Sequence, residues 1–150
     1  MIKIQRENVI NVLKEADDLF AEHYEEIEGD RSTAPLALNK ERLVNMQNNK
    51  SIVVMTVRKN GNIIGYSLYS LYYPLEYCKS IFANNEDIFI KKSERKGHLG
   101  LNLIRLSEEE LKNLGVKKIN YSVTPVVDFS PILKRAGYEV NCVKYSKYFE

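Results

Sequence analysis

The sequence contains few of the residues that define disulfide-rich, zinc-binding or membrane proteins. Its two cysteines, Cys78 and Cys142, lie far apart and outside any metal-ligand spacing, which favours two reduced thiols over a disulfide. Its two histidines, His23 and His98, argue against a structural zinc site. No apolar run approaches the roughly 20 residues of a membrane helix, and early charges argue against a signal peptide. We therefore expect a cytoplasmic protein that binds neither a metal nor a membrane.

Charge and length narrow the possibilities further. The 22 basic and 20 acidic residues leave a net charge of +2, which argues against bulk electrostatic capture of nucleic acid. The 150 residues, 44% hydrophobic and 28% charged, have the size and balance of one globular domain. We expect a single domain over residues 1–150, and the sequence leaves a homodimer open.

Hydrophobic periodicity predicts helices at the start of the chain. Residues 6–28 carry apolar side chains at helical spacing and predict one amphipathic helix that ends at Gly29. A loop with Pro35 follows, and Asn39 is placed to cap a short helix around residues 43–46.

Strands follow these helices. The β-branched and aromatic runs at residues 51–58 and 63–73 flank turn residues at positions 59–62, a pattern that predicts a hairpin. Pro74 ends the hairpin, and a third strand is expected over residues 81–91.

The C-terminal half alternates helices and strands. Residues 95–100 open a long amphipathic helix, Gly115 ends it, and residues 116–123 predict a strand. The buried stripe of that helix is Leu99, Leu103, Ile104, Ser107, Leu111 and Leu114. A short helix at residues 128–136 and a closing strand or strand pair at residues 138–149 complete the order. We expect an α/β fold: a mixed, mostly antiparallel sheet with a central parallel strand pair and helices on both faces.

The turn at residues 95–100 is suited to an anion. It joins a strand end to a helix start, where N–H groups lack intrahelical partners and the helix dipole is positive. Gly97 and Gly100 let a ligand approach the backbone, while Arg95 and Lys96 add positive charge. An ordinary strand-to-helix turn with two solvated cations is the alternative that these six residues leave open.

This turn and its surroundings resemble the GNAT superfamily of acyl-CoA N-acyltransferases, whose turn has the form R/Q-x-x-G-x-G/A. Arg95 and Gly100 match its two ends. His98 stands where the family has its middle glycine, and Gly97 lies one residue early. The hairpin, the end of the long helix and the last glycine-aromatic turn are also similar, at residues 59–66, 107–116 and 133–138. The shifted glycine and its flanks are most similar to the bacteriophage-encoded GNAT-like branch.

The resemblance implies the GNAT fold and acetyl-CoA as co-substrate. The pyrophosphate would lie on N–H groups of the turn, and the pantetheine arm would pair with the end of the preceding strand. The implied cofactor-binding residues are Phe89, Ile90, Lys91, Arg95, Lys96, Gly97, His98, Leu99 and Gly100. The thioester would lie between the two parallel strands, near residues 87–89 and 120–121.

Amine acylation needs a base, and the strand that would hold the thioester offers Asp87 and Glu86. Strand neighbours point to opposite faces, so at most one carboxylate can face the cleft. We favour Asp87, which lies opposite Ile88 and Ile90; solvated or capping roles for both carboxylates are the alternative.

The resemblance also places the usual proton donor, a tyrosine of the last short helix, at Leu133. Tyr121, Tyr138, Tyr145 or water is left to replace it, unless the protein binds without turnover.

Three further residues are candidate acceptor contacts. The first helix brings His23 and Glu26 to the border of the acceptor entrance that the resemblance implies, and Tyr73 lies near the bend at Pro74. The alternatives are a packing histidine and a hairpin tyrosine of purely structural role.

Two functions follow. The first is an N-acetyltransferase that moves an acetyl group from acetyl-CoA to a primary amine. The second is a catalytically degenerate GNAT-like protein that binds acyl-CoA or a protein partner in a phage or host regulatory role. Leu133 favours the second function, and the turn at residues 95–100 favours the first.

Overall fold

The computed structural model describes residues 1–28 and 37–149, in which helices cover both faces of one sheet. The predicted helix end at Gly29 and the loop with Pro35 lie outside the described residues. The strands are β1 (Ile2–Glu7), β2 (Ile52–Lys59), β3 (Asn62–Tyr72), β4 (Ile81–Ile90) and β5 (Val116–Asn120). The helices are α1 (Val9–Glu15), α2 (Asp17–Glu28), α3 (Lys40–Asn48), α4 (Leu99–Asn113) and α5 (Ser130–Arg135).

The sheet has the strand order β1-β2-β3-β4-β5, in which β4 and β5 run parallel and the other neighbours run antiparallel. The predicted hairpin is confirmed as β2–β3, where Asn60 at φ 51° and Gly61 at φ 87° make the turn. Both dihedral angles lie in the left-handed region that two-residue hairpin turns of this kind require. The predicted parallel pair and the mixed α/β class are therefore confirmed.

Two hydrophobic clusters lie on opposite faces of the sheet. Helices α1 and α2 pack Val12, Leu13 and Phe20 against Tyr66 and Leu68 of β3, with α3 at the margin. On the other face, α4 packs Leu103 and Leu111 against β2, β3 and β4. Alternation along β4 assigns its side chains to these faces, since Phe89 belongs to the first cluster and Ile90 to the second. We call these faces the α2 face and the α4 face.

The single helix predicted over residues 6–28 is wrong. Residues Ile2–Glu7 pair antiparallel with β2, and two helices follow, broken at Ala16. Asn8 caps α1 by accepting a hydrogen bond from the N–H of Ile10, which explains why the helix begins after the strand. The cap predicted at Asn39 is confirmed, because its side chain accepts from the N–H of Arg42.

The closing strand predicted over residues 138–149 is also wrong, because these residues form no regular secondary structure. Val140 and Tyr145 are 82% and 92% exposed, so the apolar alternation of this segment is not matched by a partner strand. On α4, the predicted stripe holds for Leu103, Ile104, Ser107 and Leu111, whereas Leu114 is 37% exposed and Leu101 is buried in addition.

Candidate active site

A cleft opens where the two parallel strands separate. Their pairing ends at Asn84 and Asn120, whose side chains join through a hydrogen bond of 3.1 Å from Nδ2 of Asn120 to Oδ1 of Asn84. Beyond this pair, β4 continues to Ile90 along β3 while β5 ends. The amide pair therefore closes the apex of a cleft between residues 85–90 and the chain that follows Asn120.

A β-bulge shapes the β4 wall of this cleft. Leu68 of β3 is paired with Asp87, and the next residue, Tyr69, with Asn85, so Glu86 is the extra residue. The side chain of Asn85 spans the bulge by donating Nδ2 to the carbonyls of Leu68 and Asp87, at 3.3 and 3.0 Å. The two carbonyls that the bulge removes from regular strand pairing thus still accept a hydrogen bond.

The bulge overturns the expectation that Glu86 and Asp87 point to opposite faces. Glu86 accepts a hydrogen bond from Ser70, which lies two residues beyond Leu68 and hence on the α2 face. Asp87 accepts from Tyr24 of α2 on that same face. The extra residue interrupts the alternation, so both carboxylates lie on one side of the sheet, Glu86 exposed and Asp87 half-buried.

Asp87 has the environment of a proton acceptor. The Tyr24 hydroxyl donates to its Oδ2 at 3.3 Å, and the charge of Glu86 is nearby. Burial, with the charge of Glu86 as a minor contribution, raises the pKa of Asp87 from its ordinary 3.8 to about 6, although the Tyr24 hydrogen bond opposes this. A carboxylate with a pKa near neutrality can both take up and release a proton at physiological pH.

His23 lies behind this site and is only 4% exposed. Its Nδ1 is 2.6 Å from the hydroxyl of Tyr66, and its ring stacks on Phe89 with 4.7 Å between centroids. Burial lowers its pKa from 6.5 to about 4, so the ring is neutral at physiological pH. The structure therefore places His23 in the core of the α2 face, where it supports Phe89 and not the cleft surface.

The predicted anion-binding turn has an exposed backbone. A short 3-10 turn at Lys92–Glu94 follows β4, and Gly97 then adopts φ +60° with no atom within 4 Å of the position of a Cβ. Among the described residues, no backbone acceptor pairs with the N–H groups of Gly97 or His98. The first turn of α4 adds N–H groups without intrahelical partners. Residues 97–100 therefore fit an anionic pyrophosphate, and Lys96 beside them is exposed.

Arg95 lies apart from that turn and is already engaged. Its Nε donates to the carbonyl of Ile90 at 2.7 Å, and its Nη2 forms an ion pair of 2.8 Å with Glu26 of α2. Its guanidinium also stacks 5.1 Å above the ring of Phe89. Arg95 thus joins α2 to the end of β4 and covers a carbonyl that pantetheine pairing was expected to use.

Phenols fill the α4 face of the cleft. Tyr121, the first residue after β5, has its hydroxyl 2.6 Å from that of Tyr69 on β3. Tyr138 packs edge-on against Tyr121, with ring centroids 5.1 Å apart. Leu133 of α5 is buried and bears no titratable group. Tyr145 is 92% exposed, which removes it from the cleft.

Tyr73 lies at the other end of the sheet from Asp87. It follows β3 directly, and the residue before it pairs with Phe82 at the start of β4. Asp87 lies five positions after Phe82 in β4, a distance of about 17 Å along a strand. Tyr73 is 59% exposed there, so a contact with an acceptor would need a long acceptor.

Sequence reasoning missed several contacts that build the site. The hydrogen bonds of Asn85 across the bulge, of Tyr24 to Asp87 and of Asn120 to Asn84 join distant positions, which no local pattern predicts. The consecutive residues Asn84 and Asn85 are the sequence signal that could have indicated an irregular strand here, because asparagine is depleted in strands.

Residues 1–28 and 37–149 hold no cluster of three or more His, Cys, Asp or Glu side chains that could bind a metal. Within the same ranges, no helix has the length and apolar character needed to cross a membrane.

The chain is similar in sequence to a known protein family. The model of the acetyltransferase (GNAT) family matches residues 13–129. No curated protein matches the chain in sequence.

Solved structures share the fold across nearly the whole chain. An aminoglycoside acetyltransferase from an uncultured soil metagenomic sample superposes with a TM-score of 0.77 at 12% identity, covering 100% of this chain and 99% of that one. A ribosomal-protein-alanine N-acetyltransferase from Brucella melitensis gives 0.75 at 12% identity, with 99% of both chains covered. Glucosamine-6-phosphate N-acetyltransferase from Arabidopsis thaliana gives 0.72 at 15%, covering 100% and 99%. Similarity at this level of identity establishes the architecture.

Proposed function

The chain belongs to the GNAT acetyltransferase family, and we propose that it transfers an acetyl group from acetyl-CoA to a primary amine. The observation that carries this proposal is Asp87, a half-buried carboxyl with a pKa of about 6 at the bulge where β4 and β5 separate. Perturbed carboxyls in clefts are characteristic of catalytic sites. Two of the structurally similar proteins are named as N-acetyltransferases, one of ribosomal-protein alanine and one of glucosamine 6-phosphate, and a third is named as an aminoglycoside acetyltransferase.

The cofactor would be held at two places. The N–H groups of residues 97–100 and the side chain of Lys96 would receive the pyrophosphate, and the end of β4 at Phe89, Ile90 and the following Lys91 would receive the pantetheine arm, which would take the Ile90 carbonyl from Arg95. His98 contributes its backbone N–H there, since its side chain makes no cap hydrogen bond. Arg95 would reach a phosphate only after it leaves Glu26. When bound, acetyl-CoA supplies an activated acyl thioester.

Asp87 would act as the base. An amine acceptor is protonated at neutral pH and must lose a proton to become a nucleophile, and Asp87 can accept it directly or through water. The Tyr24 hydroxyl fixes the orientation of the carboxylate, while Glu86 on the same face adds negative potential that attracts a cationic amine. Glu26, next to this face on α2, would border the acceptor.

Two finer expectations accompany the proposal. The shifted glycine at Gly97 supports membership of the bacteriophage-encoded branch, and the exposed thiols of Cys78 and Cys142 support a reducing, cytoplasmic location.

A binding protein without turnover is the second candidate, and Leu133 is the observation that favours it. A buried leucine occupies the position at which the family carries its tyrosine acid. Such a protein would bind acyl-CoA in the same cleft and act through a protein partner.

One experiment separates the two candidates. Titration with acetyl-CoA and with CoA measures binding, and thiol release is then followed with sisomicin, glucosamine 6-phosphate, a peptide with N-terminal alanine and a lysine peptide. We expect acetyl-CoA to bind and at least one amine to release thiol above hydrolysis. Binding without release across the panel would favour the second candidate, and absence of binding would refute both.

A further inference from the structure

The departing thiolate needs a proton, and the usual donor is missing at Leu133. Leu133 is 7% exposed and apolar, and Tyr138, five residues further on, bonds its own N–H to the Leu133 carbonyl at 2.9 Å. The end of α5 is thereby fixed with Leu133 inside the protein. A proton donor for this cleft has to come from another element.

Tyr121 occupies the opposite wall of the cleft from the β4 bulge. It directly follows Asn120, the last paired residue of β5, so it lies at the point where the two strands begin to separate. Its hydroxyl is 2.6 Å from that of Tyr69, whose side chain lies in the α4 face cluster. Asp87 lies on the α2 face. The phenol and the carboxylate thus approach the cleft from opposite sides of the sheet.

The surroundings of Tyr121 hold its hydroxyl in place. Its ring packs edge-on between Phe129 and Tyr138, with centroid distances of 6.3 and 5.1 Å. Tyr69 is fully buried and backed by a buried hydroxyl pair, Ser67 and Ser107, 3.2 Å apart. Burial raises the pKa of Tyr121 well above its ordinary value, so the phenol keeps its proton throughout the physiological range. Tyr121 itself remains partly accessible.

We propose that Tyr121 is the catalytic proton donor to the sulfur of the departing thiol, and that Tyr69 positions it. This inference rests on the proposed acetyl transfer. Tyr138 is the nearest rival, but its phenol faces the carboxylate of Glu108, whereas Tyr121 directly follows the last paired residue of β5 at the point where the strands separate.

The step balances without any other reactant. The acceptor ammonium first gives one proton through Asp87 to water. The free amine nitrogen then bonds to the acyl carbon, and the carbon–sulfur bond breaks with its electron pair going to sulfur. Tyr121 gives its phenolic proton to sulfur, and Asp87 takes the proton that the nitrogen loses. Water then reprotonates Tyr121 and receives the proton of Asp87. The location of donor and acceptor on opposite faces keeps the two transfers from competing.

The test uses two matched variants of the full chain, Tyr121→Phe and Tyr69→Phe. Both remove the same hydrogen bond between the two hydroxyls, so a purely structural role predicts equal effects. Catalysis by Tyr121 predicts a kcat about 100-fold below wild type in Tyr121→Phe, with KM for acetyl-CoA nearly unchanged. Tyr69→Phe is expected to lose about tenfold or less, because the donor remains and only its position is looser.

A second readout does not depend on turnover. Tyr121 can hydrogen-bond the sulfur of free CoA, so Tyr121→Phe should bind CoA about fivefold to tenfold more weakly, while acetyl-CoA binds within about twofold of wild type. Tyr69→Phe should leave the ratio of these two affinities unchanged. Equal kcat losses in both variants, or an unchanged affinity ratio in Tyr121→Phe, would overturn the proposal.

The outcomes also separate this inference from the proposed function. If wild type releases no thiol with any amine, the proposed function fails, and the affinity ratio still decides whether Tyr121 contacts sulfur. If wild type turns over and Tyr121→Phe keeps full kcat, the function stands and the assignment of Tyr121 is refuted. If neither CoA nor acetyl-CoA binds, both are refuted.

Discussion

Replacing Asp87 by asparagine should make the protein more stable and less active. Burial raises the pKa of the carboxyl from 3.8 to about 6, so at pH 7.5 folding confines a charge that the unfolded chain holds in water. A carboxyl with these two pKa values lowers the stability of the fold by about 3 kcal/mol at pH 7.5 and by less than about 1 kcal/mol at pH 4. The sign follows from protonation, because between the two pKa values the folded state binds more protons than the unfolded state.

Asparagine has nearly the same shape and can still accept a hydrogen bond from Tyr24. We therefore expect Asp87→Asn to gain about 1–3 kcal/mol at pH 7.5, with the gain shrinking towards zero at pH 4. Urea denaturation at the two pH values measures both numbers, and turnover should fall about 10²–10⁴-fold at the same time. Cofactor affinity should change little, since the side chain faces the acceptor.

Glu86→Gln is the matched control. Glu86 is exposed and lies on the same face, so its removal should alter stability by only a few tenths of a kcal/mol, an amount typical of surface sites. It should also lower the pKa of Asp87, which moves the ascending limb of the pH–rate profile to lower pH. A loss of stability in Asp87→Asn at pH 7.5, or a gain independent of pH, would refute the assignment of a destabilised carboxylate.

Two further predictions concern the neighbours of this site. Arg95→Glu should weaken CoA binding by about 10–100-fold if the guanidinium moves to a phosphate, whereas Glu26→Gln should strengthen it by releasing Arg95; unchanged calorimetric affinity in both variants would contradict this. His23 has a pKa lowered from 6.5 to about 4 because burial disfavours its charged form, so its titration leaves stability unchanged above pH 6.5 and costs the fold about 3 kcal/mol as the pH falls to 4. Asp87 acts with the opposite sign in the same window, so Asp87→Asn should show a steeper acid loss of stability than wild type, and His23→Gln a shallower one.

Local chemistry made the central hairpin and the parallel pair predictable. Asn60 and Gly61 sit between two alternating strands, and the glycines around a fifteen-residue helix set its limits. The alternation of Ile2 and Ile4 is too short to predict β1, because it merges with the helical spacing that follows. The segment at residues 138–149 shows the converse error, because alternation fits a strand only when an edge is there to pair with it.

The site was predictable in composition and not in geometry. The placement of Asp87 in β4 followed from the sequence, but the bulge at Glu86 depends on how β3 and β4 pair. The contacts Tyr24–Asp87 and Glu26–Arg95 join positions 63 and 69 residues apart, and pairing over such distances is set by packing. No pattern in the local sequence predicts these two contacts.

The single guanidinium of Arg95 creates a competition between the two ends of the cleft. A phosphate that recruits Arg95 must displace Glu26, which then faces the acceptor side with an uncompensated negative charge. A cationic acceptor can neutralise that charge, so the binding of each ligand favours the binding of the other. Reciprocity requires that whatever factor acetyl-CoA adds to acceptor affinity, the acceptor adds to acetyl-CoA affinity, and such couplings typically amount to about 1–3 kcal/mol. Two co-substrates that never touch the same atom would thus bind with positive cooperativity, transmitted by one side chain that can serve only one of two anions at a time.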